Sequence, residues 1–211
     1  MKQSEFRRWL ESQGVAVTNG SNHLKLRYQG RRSVMPRHPG DEIKEALRKS
    51  ILSSLVYSHH QYEVNYMRDF EKIMRYPVNL IPAVEGGFVV SFPDIPEALT
   101  QGETRHGALQ AAQSALVTAF EFYFDDNEPI PLPSAVGAEG DYVEIPLSIA
   151  SKVLLLNAFL ESKITQQELA NRIGRPKQEI TRLFDLKHAT KIDAVQIAAR
   201  ALGKELSVTM L

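Results

Sequence analysis

His23 is the first residue in the sequence whose type and setting suit chemistry. It follows a turn at Asn19-Gly20 and begins a stretch in which polar and apolar residues alternate. Basic residues surround it in the sequence: Lys25, Arg27, Arg31, Arg32 and Arg37. An imidazole titrates near neutral pH, so it can accept a proton from a ribose 2′-hydroxyl or donate one to a leaving 5′-oxygen. Cationic side chains can stabilise the negative charge that builds on the phosphate. The stretch from Asn19 to Arg37 is therefore suited to binding or cleaving a phosphodiester chain.

Spacing alone leaves an alternative open, in which His23 is a surface residue on a polar strand face. One histidine cannot accept and donate a proton at the same moment, so cleavage also requires a second group or a water molecule. The other histidines considered, His38, His59 and His60, do not form a helical His-Glu-x-x-His pattern, and the chain has no cysteine. We therefore predict no metal site and no cofactor.

The elements that must position His23 follow the order helix, three strands, helix. A helix over residues 3–13 is predicted, with Ser4 as its N-cap and Phe6, Trp9 and Leu10 on its apolar face. Short strands are expected at residues 15–17, 22–28 and 32–36, with a hairpin turn at Gln29-Gly30. A helix over residues 41–55 would bury its apolar side. Its basic residues are predicted to be exposed: Lys44, Arg48 and Lys49.

This order and its basic strand resemble the double-stranded-RNA-binding-like α-β-β-β-α fold of HicA-type toxins. The resemblance is carried by the segments Gly20-Ser21-Asn22-His23-Leu24 and Arg31-Arg32-Ser33-Val34-Met35-Pro36, and covers residues 1–58. HicA toxins are mRNA interferases that need no metal. The resemblance implies that His23 is the catalytic residue of an endoribonuclease, and from their charge we expect the five basic residues to bind RNA.

A second domain is predicted over residues 74–135, after a connector at 59–73. Tyr76 to Ala83 alternates as one strand, Glu85-Gly86-Gly87 turns, and Phe88 to Phe92 returns. A short strand ends at Gly102. A long helix follows over residues 103–124, with small residues on its packed side. Residues 142–145 are expected to form a last strand.

Several segments of this domain resemble the HicB antitoxin, whose partial ribonuclease-H-like α/β fold lacks nuclease activity. These segments are Tyr76-Pro77-Val78, Glu85-Gly86-Gly87-Phe88, residues 92–98 and residues 100–104. The resemblance implies a domain that masks the toxin. An acidic cluster at Asp125, Asp126 and Glu128 is interpreted either as an electrostatic attraction for the basic toxin or as solvation of a helix end.

Residues 147–211 show the pattern of an all-α helix-turn-helix domain. Thr165-Gln166-Gln167-Glu168 is a capping box, Gly174 ends that helix, and Pro176 occupies the first position of the next. Thr190 is expected to cap a fourth helix. The domain resembles the repressor-type module of many HicB antitoxins, and such a fold presents its recognition helix to the major groove. The residues expected to face operator DNA are Arg175, Lys177, Gln178, Thr181 and Arg182. The alternative is a solvated helix face.

The distribution of charged residues along the chain agrees with the predicted division into domains. Residues 1–60 hold 11 Lys and Arg against 5 Asp and Glu, whereas residues 74–140 hold 2 against 9. Such segregation suggests a basic piece complementary to an acidic one. The sequence has neither the long apolar run of a membrane span nor the apolar core of a signal peptide, so a cytoplasmic protein is expected. The alternating tail at residues 206–210 suggests pairing with a second copy, and hence a homo-oligomer, either a dimer or a tetramer.

We therefore expect an α+β toxin–antitoxin system on one chain, with mRNA cleavage, neutralisation and operon autorepression. Because the two families are usually separate proteins, masking within one chain and masking between chains both remain open. Tethering supplies roughly millimolar effective concentration when the linker spans the sites, so the intact chain should be nearly inactive. The alternative is a non-enzymatic regulator that binds RNA and DNA.

Overall fold

The computed structural model describes residues 1–56, 75–136 and 140–207. The chain divides into two compact units: Met1–Phe122 with Pro131–Ile145, and Tyr123–Ile130 with Pro146–Leu211. The fold is mixed α+β, as predicted. The predicted connector at 59–73, with His59 and His60, lies outside the described residues, as do the last residues of the predicted tail strand. Among the described residues, no helix is long and apolar enough to cross a membrane.

The first unit begins with the predicted helix, three strands and helix. These are α1 (Gln3–Ser12), β1 (Ala16–Asn19), β2 (His23–Tyr28), β3 (Arg31–Pro36) and α2 (Glu45–Val56). The strands form an antiparallel sheet in the order β1-β2-β3. Gln29 and Gly30 join β2 to β3 with φ values of 49° and 80°. Positive φ at both positions gives the hairpin turn a twist that matches the paired strands.

One face of this sheet supplies a hydrophobic core. Leu24 and Leu26 of β2 and Met35 of β3 pack in one cluster with apolar residues of α1 and α2. Val89 and Leu99, from the next part of the chain, belong to the same cluster. Because successive strand residues point to opposite faces, the burial of Leu24 and Leu26 directs His23, Lys25 and Arg27 to the other face.

Three expectations for this region are wrong. Lys2, not Ser4, is the N-cap of α1, because its amide donates to the Glu5 carboxylate at 3.0 Å. Trp9 is exposed and stacks on Phe6. Lys44 is buried, and its ammonium pairs with the exposed carboxylate of Glu103 at 3.0 Å.

The rest of the first unit contains two small sheets and a long helix. Its elements are β4 (Arg75–Pro77), β5 (Asn79–Pro82), β6 (Phe88–Ser91), β7 (Leu99–Gly102), α3 (Arg105–Asp126) and β8 (Tyr142–Glu144), and the last turn of α3, from Tyr123, is counted with the second unit. The single strand predicted from Tyr76 to Ala83 is wrong. β4 pairs with β8, whereas β5 pairs with β6, and the chain changes partner at Val78. The amide of Val78 still donates to the carbonyl of Asp141, the residue before β8, at 3.0 Å, and Asn79 then begins the ladder with β6.

The second unit is helical, with α4 (Leu147–Ser162), α5 (Gln166–Ile173), α6 (Lys177–Leu183) and α7 (Ile192–Ala201). The predicted capping box is confirmed, with Glu168 donating its amide to Thr165 at 3.1 Å and accepting the amide of Thr165 at 2.7 Å. Gly174 ends α5 at φ 63°. Two predicted boundaries are wrong: Pro176 is an N-cap instead of a first helical residue, and Lys191 replaces Thr190 as the cap of α7.

Candidate functional site

His23 is buried, with only 5% of its surface exposed. Its Nε2 lies 3.1 Å from Oγ1 of Thr100 on β7, which is also buried. Among the described residues, its Nδ1 has no hydrogen-bonding partner. Burial, and to a smaller extent the charge of His38, lowers the pKa of His23 from 6.5 to about 4. In this structure the imidazole is therefore neutral at pH 7 and shielded from solvent.

The turn that precedes His23 contacts helix α3. The amide and the hydroxyl of Ser21 both donate to Oε1 of Glu121, at 2.9 Å and 2.5 Å. The Lys25 ammonium lies 3.8 Å from the other carboxylate oxygen, and both charged side chains are buried. At Gly20 a side chain would collide with the methyl group of Thr118, so glycine permits this close approach of the helix.

Phe122 lies against the same basic strand face. The Lys25 ammonium and the Arg27 guanidinium are each 4.9 Å from its ring centroid, and the Arg32 guanidinium is 5.8 Å away. These separations fall within the range of cation–π attraction. The Arg32 guanidinium also pairs with Glu97 at 3.5 Å. The residues around His23 thus contact both an acidic and an aromatic side chain of the later segment.

The structure brings together four of the six residues predicted for RNA chemistry: His23, Lys25, Arg27 and Arg32. Arg37 is exposed and donates to the carbonyl of Ser21 at 3.4 Å, near the same turn. Arg31 lies apart from them. It is the cross-strand partner of Tyr28 and donates to the carbonyls of Leu55 and Val56 at the end of α2. The register therefore places Arg31 on the opposite face of the sheet.

A cleft of about 1270 Å³ opens beside this site. Its walls include Ser21, His23, Arg37 and His38 from the N-terminal segment, and Thr100 and Ser114 from the later one. The cleft gives small molecules a route to the turn at Ser21, although the imidazole itself is covered.

A second contact lies at the start of α2. Glu85 accepts the amide of Glu45 at 2.9 Å, as an N-cap residue would. The Gln101 side chain accepts the amide of Lys44 at 2.8 Å and donates to the carbonyl of Glu42 at 2.6 Å. The hydrogen bond from Glu45 is the largest cause that lowers the pKa of Glu85. Residues 85–103 thus supply hydrogen-bonding partners to backbone groups at the start of α2 that have no partner within the helix.

Comparison with known proteins identifies both parts of the chain. Residues 75–154 match a family model described as the HicB_like antitoxin of bacterial toxin-antitoxin systems. Antitoxin HicB of Escherichia coli (strain K12) is 72% identical over 138 residues, which are 65% of this chain and all of that protein. The "Probable mRNA interferase toxin HicA" of the same strain is 84% identical over 55 residues, 26% of this chain and 95% of that protein.

The chain is a fusion of a HicA-family toxin and a HicB-family antitoxin. The HicA part comprises about the first 55 residues and the HicB part begins near residue 75. A solved chain in the crystal structure of the E. coli HicAB toxin-antitoxin complex is 83% identical, covering 26% of this chain and 95% of that chain at a TM-score of 0.25.

Sequence reasoning did not identify the HicB-part residues that contact the HicA part. These include Glu85, Glu97, Thr100, Gln101, Glu103, Glu121 and Phe122. One signal was present, because Glu121 interrupts an otherwise apolar and aromatic run from Ala119 to Phe124. Asp125, Asp126 and Glu128, which were considered instead, belong to the second unit.

The residues predicted to face DNA are all exposed in the C-terminal region of the HicB part. Arg175 precedes α6, and Lys177, Gln178, Thr181 and Arg182 lie on it. A buried lysine that sequence reasoning missed supports the loop after α6. The Lys152 ammonium donates to the carbonyls of Arg182, Asp185 and His188, at 3.4, 2.5 and 2.6 Å. This lysine joins helix α4 to the end of the predicted recognition helix.

Proposed function

We propose that residues 1–58 are a metal-independent endoribonuclease that cleaves mRNA with His23, and that residues 74–135 keep it inactive. The observation that supports this most directly is the burial of His23 against Thr100 of the HicB part. The pKa of about 4 also supports it, because a cleaving histidine needs to exchange protons near pH 7.

In the proposed reaction, His23 removes the proton of a ribose 2′-hydroxyl once the mask has moved away. A second group or a water molecule protonates the leaving 5′-oxygen. Lys25, Arg27 and Arg32 hold the phosphate backbone and stabilise its developing charge. Arg37 extends the basic surface. Arg31 contributes to RNA binding from farther away, because its guanidinium donates to a carbonyl at the end of helix α2.

The HicA part would then have a double-stranded-RNA-binding-like fold, and the antitoxin domain a partial ribonuclease-H-like fold. Residues 147–211 would be a helix-turn-helix that represses the operon. The exposure of the five predicted residues on and before α6 supports operator binding. A homo-oligomer, either a dimer or a tetramer, would present two such helices to adjacent half-sites. A cytoplasmic location follows from both nucleic-acid partners.

RNA cleavage by three proteins tests the nuclease proposal: the intact chain, residues 1–58, and residues 1–58 with His23→Ala. A fragment of this size is reasonable because the E. coli HicA relative is a separate protein of similar length. We expect the fragment to cleave RNA, the intact chain to be nearly inactive, and His23→Ala to lower the rate about 10²–10⁴-fold. Circular dichroism verifies that both fragments fold.

Equal cleavage by the two fragments would exclude His23 as the proton-transfer group. RNA binding without cleavage by the 1–58 fragment would favour the non-enzymatic regulator. A gel-shift assay with upstream DNA tests repression separately. Lys177→Ala with Gln178→Ala should weaken binding to that DNA, whereas Lys204→Ala, beyond α7, should not.

A further inference from the structure

Glu121 receives the contacts that a phosphate group receives in nucleic-acid sites. An amide and a hydroxyl from one residue, Ser21, converge on a single carboxylate oxygen, and the Lys25 ammonium approaches the other. Backbone amides, serine hydroxyls and lysine are all common donors to phosphate oxygens. Hydrogen bonds to a charged acceptor are also stronger than neutral ones.

Phe122, the next residue, receives the contacts of a nucleobase. The guanidinium groups of Arg27 and Arg32 lie within 6 Å of its ring centroid, at 4.9 and 5.8 Å. Proteins that bind single-stranded RNA stack unpaired bases on aromatic side chains or on the planes of arginine guanidinium groups. A flat ring held by two arginines therefore matches the second half of a nucleotide.

We propose that Glu121 and Phe122 of the HicB part imitate one nucleotide of the RNA substrate. The carboxylate occupies a phosphate subsite formed by Ser21 and Lys25, and the ring occupies a base subsite formed by Arg27 and Arg32. This inference rests on the proposed RNA substrate, and it adds Ser21 to the groups that bind that substrate.

The energetics favour a site built for an anion. Glu121 and Lys25 are only 4% and 6% exposed. Removing two charges from water costs more than their attraction returns unless further hydrogen bonds satisfy them. Ser21 supplies two such bonds from a turn that Gly20 keeps free of a side chain.

The position of the subsites fits chemistry at His23. Ser21 is two residues before His23 in the same turn, and the amide of Gly20 closes that turn on the carbonyl of His23 at 2.9 Å. Lys25 and Arg27 follow on the same strand face as the histidine. An anion held by Ser21 therefore lies beside the residue proposed to move the proton.

Ligand binding by the full-length chain tests the inference, and the test does not require the mask to open. Removing the imitating side chains leaves a vacant subsite, and the adjoining cleft is lined by Ser21, one of the donors of that subsite. The variants are Glu121→Ala and the double variant Glu121→Ala with Phe122→Ala. The matched control is Glu85→Ala, which removes a different HicA–HicB contact. The probes are inorganic phosphate and each of the four ribonucleoside 5′-monophosphates, measured by calorimetry.

We expect Glu121→Ala to bind phosphate at least tenfold more tightly than the wild type and Glu85→Ala do. The double variant should bind at least one nucleotide at least tenfold more tightly than it binds phosphate. Adding Ser21→Ala to either variant should weaken its binding of phosphate and of the nucleotide. If Glu121→Ala does not fold, Glu121→Ser replaces it, because it also removes the carboxylate and leaves the subsite vacant.

Phosphate binding that is equal in the Glu121 variant and Glu85→Ala would overturn the inference. So would nucleotide binding that does not change with Ser21→Ala. These results are independent of the cleavage assay, because a subsite can bind nucleotides when His23 does no chemistry. Conversely, His23 can cleave RNA whose phosphate is held elsewhere.

Discussion

The Nε2 atom of His23 and the hydroxyl oxygen of Thr100 lie 3.1 Å apart, although 77 residues separate them in the sequence. One belongs to the HicA part and the other to the HicB part. The threonine thus supplies a hydrogen-bonding partner to an imidazole that the antitoxin has removed from water.

Replacing Thr100 with valine should destabilise the full-length chain by about 1–3 kcal/mol, because the buried Nε2 would lose its partner while the shape is preserved. Chemical denaturation measures the change. The matched control is Thr118→Val, since the hydroxyl of Thr118 bonds within its own helix, to Ser114 at 2.9 Å. Equal stability of Thr100→Val and the wild type would show that this contact contributes little.

The stability of the full-length chain should depend on pH through His23. Its pKa of about 4 lies below the ordinary value of 6.5, so the unfolded chain binds more protons between these values. The stabilisation is therefore complete above pH 6.5 and is lost as the pH falls toward 4. Between pH 7 and pH 5 the loss should be about 2 kcal/mol.

The difference between the wild type and His23→Gln isolates this effect from carboxylates that titrate in the same range. Denaturation curves at several pH values provide the measurement. A difference that stays constant from pH 7 to pH 5 would mean that the imidazole protonates freely in the folded chain.

Gln101→Ala should weaken the association of the two parts when they are produced as separate chains. It removes two hydrogen bonds to backbone groups at the start of α2, so we expect a loss of about 1–2 kcal/mol, or roughly 5- to 30-fold in Kd. Gln113→Ala is the control, because Gln113 bonds to Glu144 inside the HicB part. Titration calorimetry measures both, and similar Kd values for the two variants would contradict the prediction.

Lys152→Met should destabilise the C-terminal unit by about 2–3 kcal/mol and reduce binding to upstream DNA. It leaves three carbonyls at the end of α6 without their ammonium donor. Lys204→Met serves as the control, since Lys204 is half-exposed and pairs with Glu161 on the surface. Thermal unfolding and gel-shift assays should change together. Unchanged unfolding would show that the loop does not need this lysine.

Local patterns predicted most of the elements. The alternation at residues 23–28 and the capping box at Thr165 depend on neighbours in the sequence, and both are confirmed. The single strand from Tyr76 was wrong because strand partners are chosen over long distances, and nothing near Val78 reveals that β8 begins more than 60 residues later.

The site was only partly predictable for the same reason. The types and spacing of His23, Lys25 and Arg27 follow from β2 alone. The burial of His23 and Lys25 does not, because it depends on side chains about 75 to 100 residues away, such as Thr100 and Glu121. Lys44 illustrates the difference: helical periodicity places it on a solvated face, whereas in the structure its side chain lies against Gly87 and its ammonium pairs with Glu103.

Val89 and Leu99 sit in the same apolar cluster as the toxin's own interior residues, and this has an evolutionary consequence. Close-packed interiors tolerate changes of volume poorly. A bacterium with several related toxin–antitoxin pairs would therefore need each antitoxin to match the packing surface of its own toxin. A mismatch in side-chain volume at these two positions should therefore weaken the pairing of an antitoxin with the toxin of a related pair.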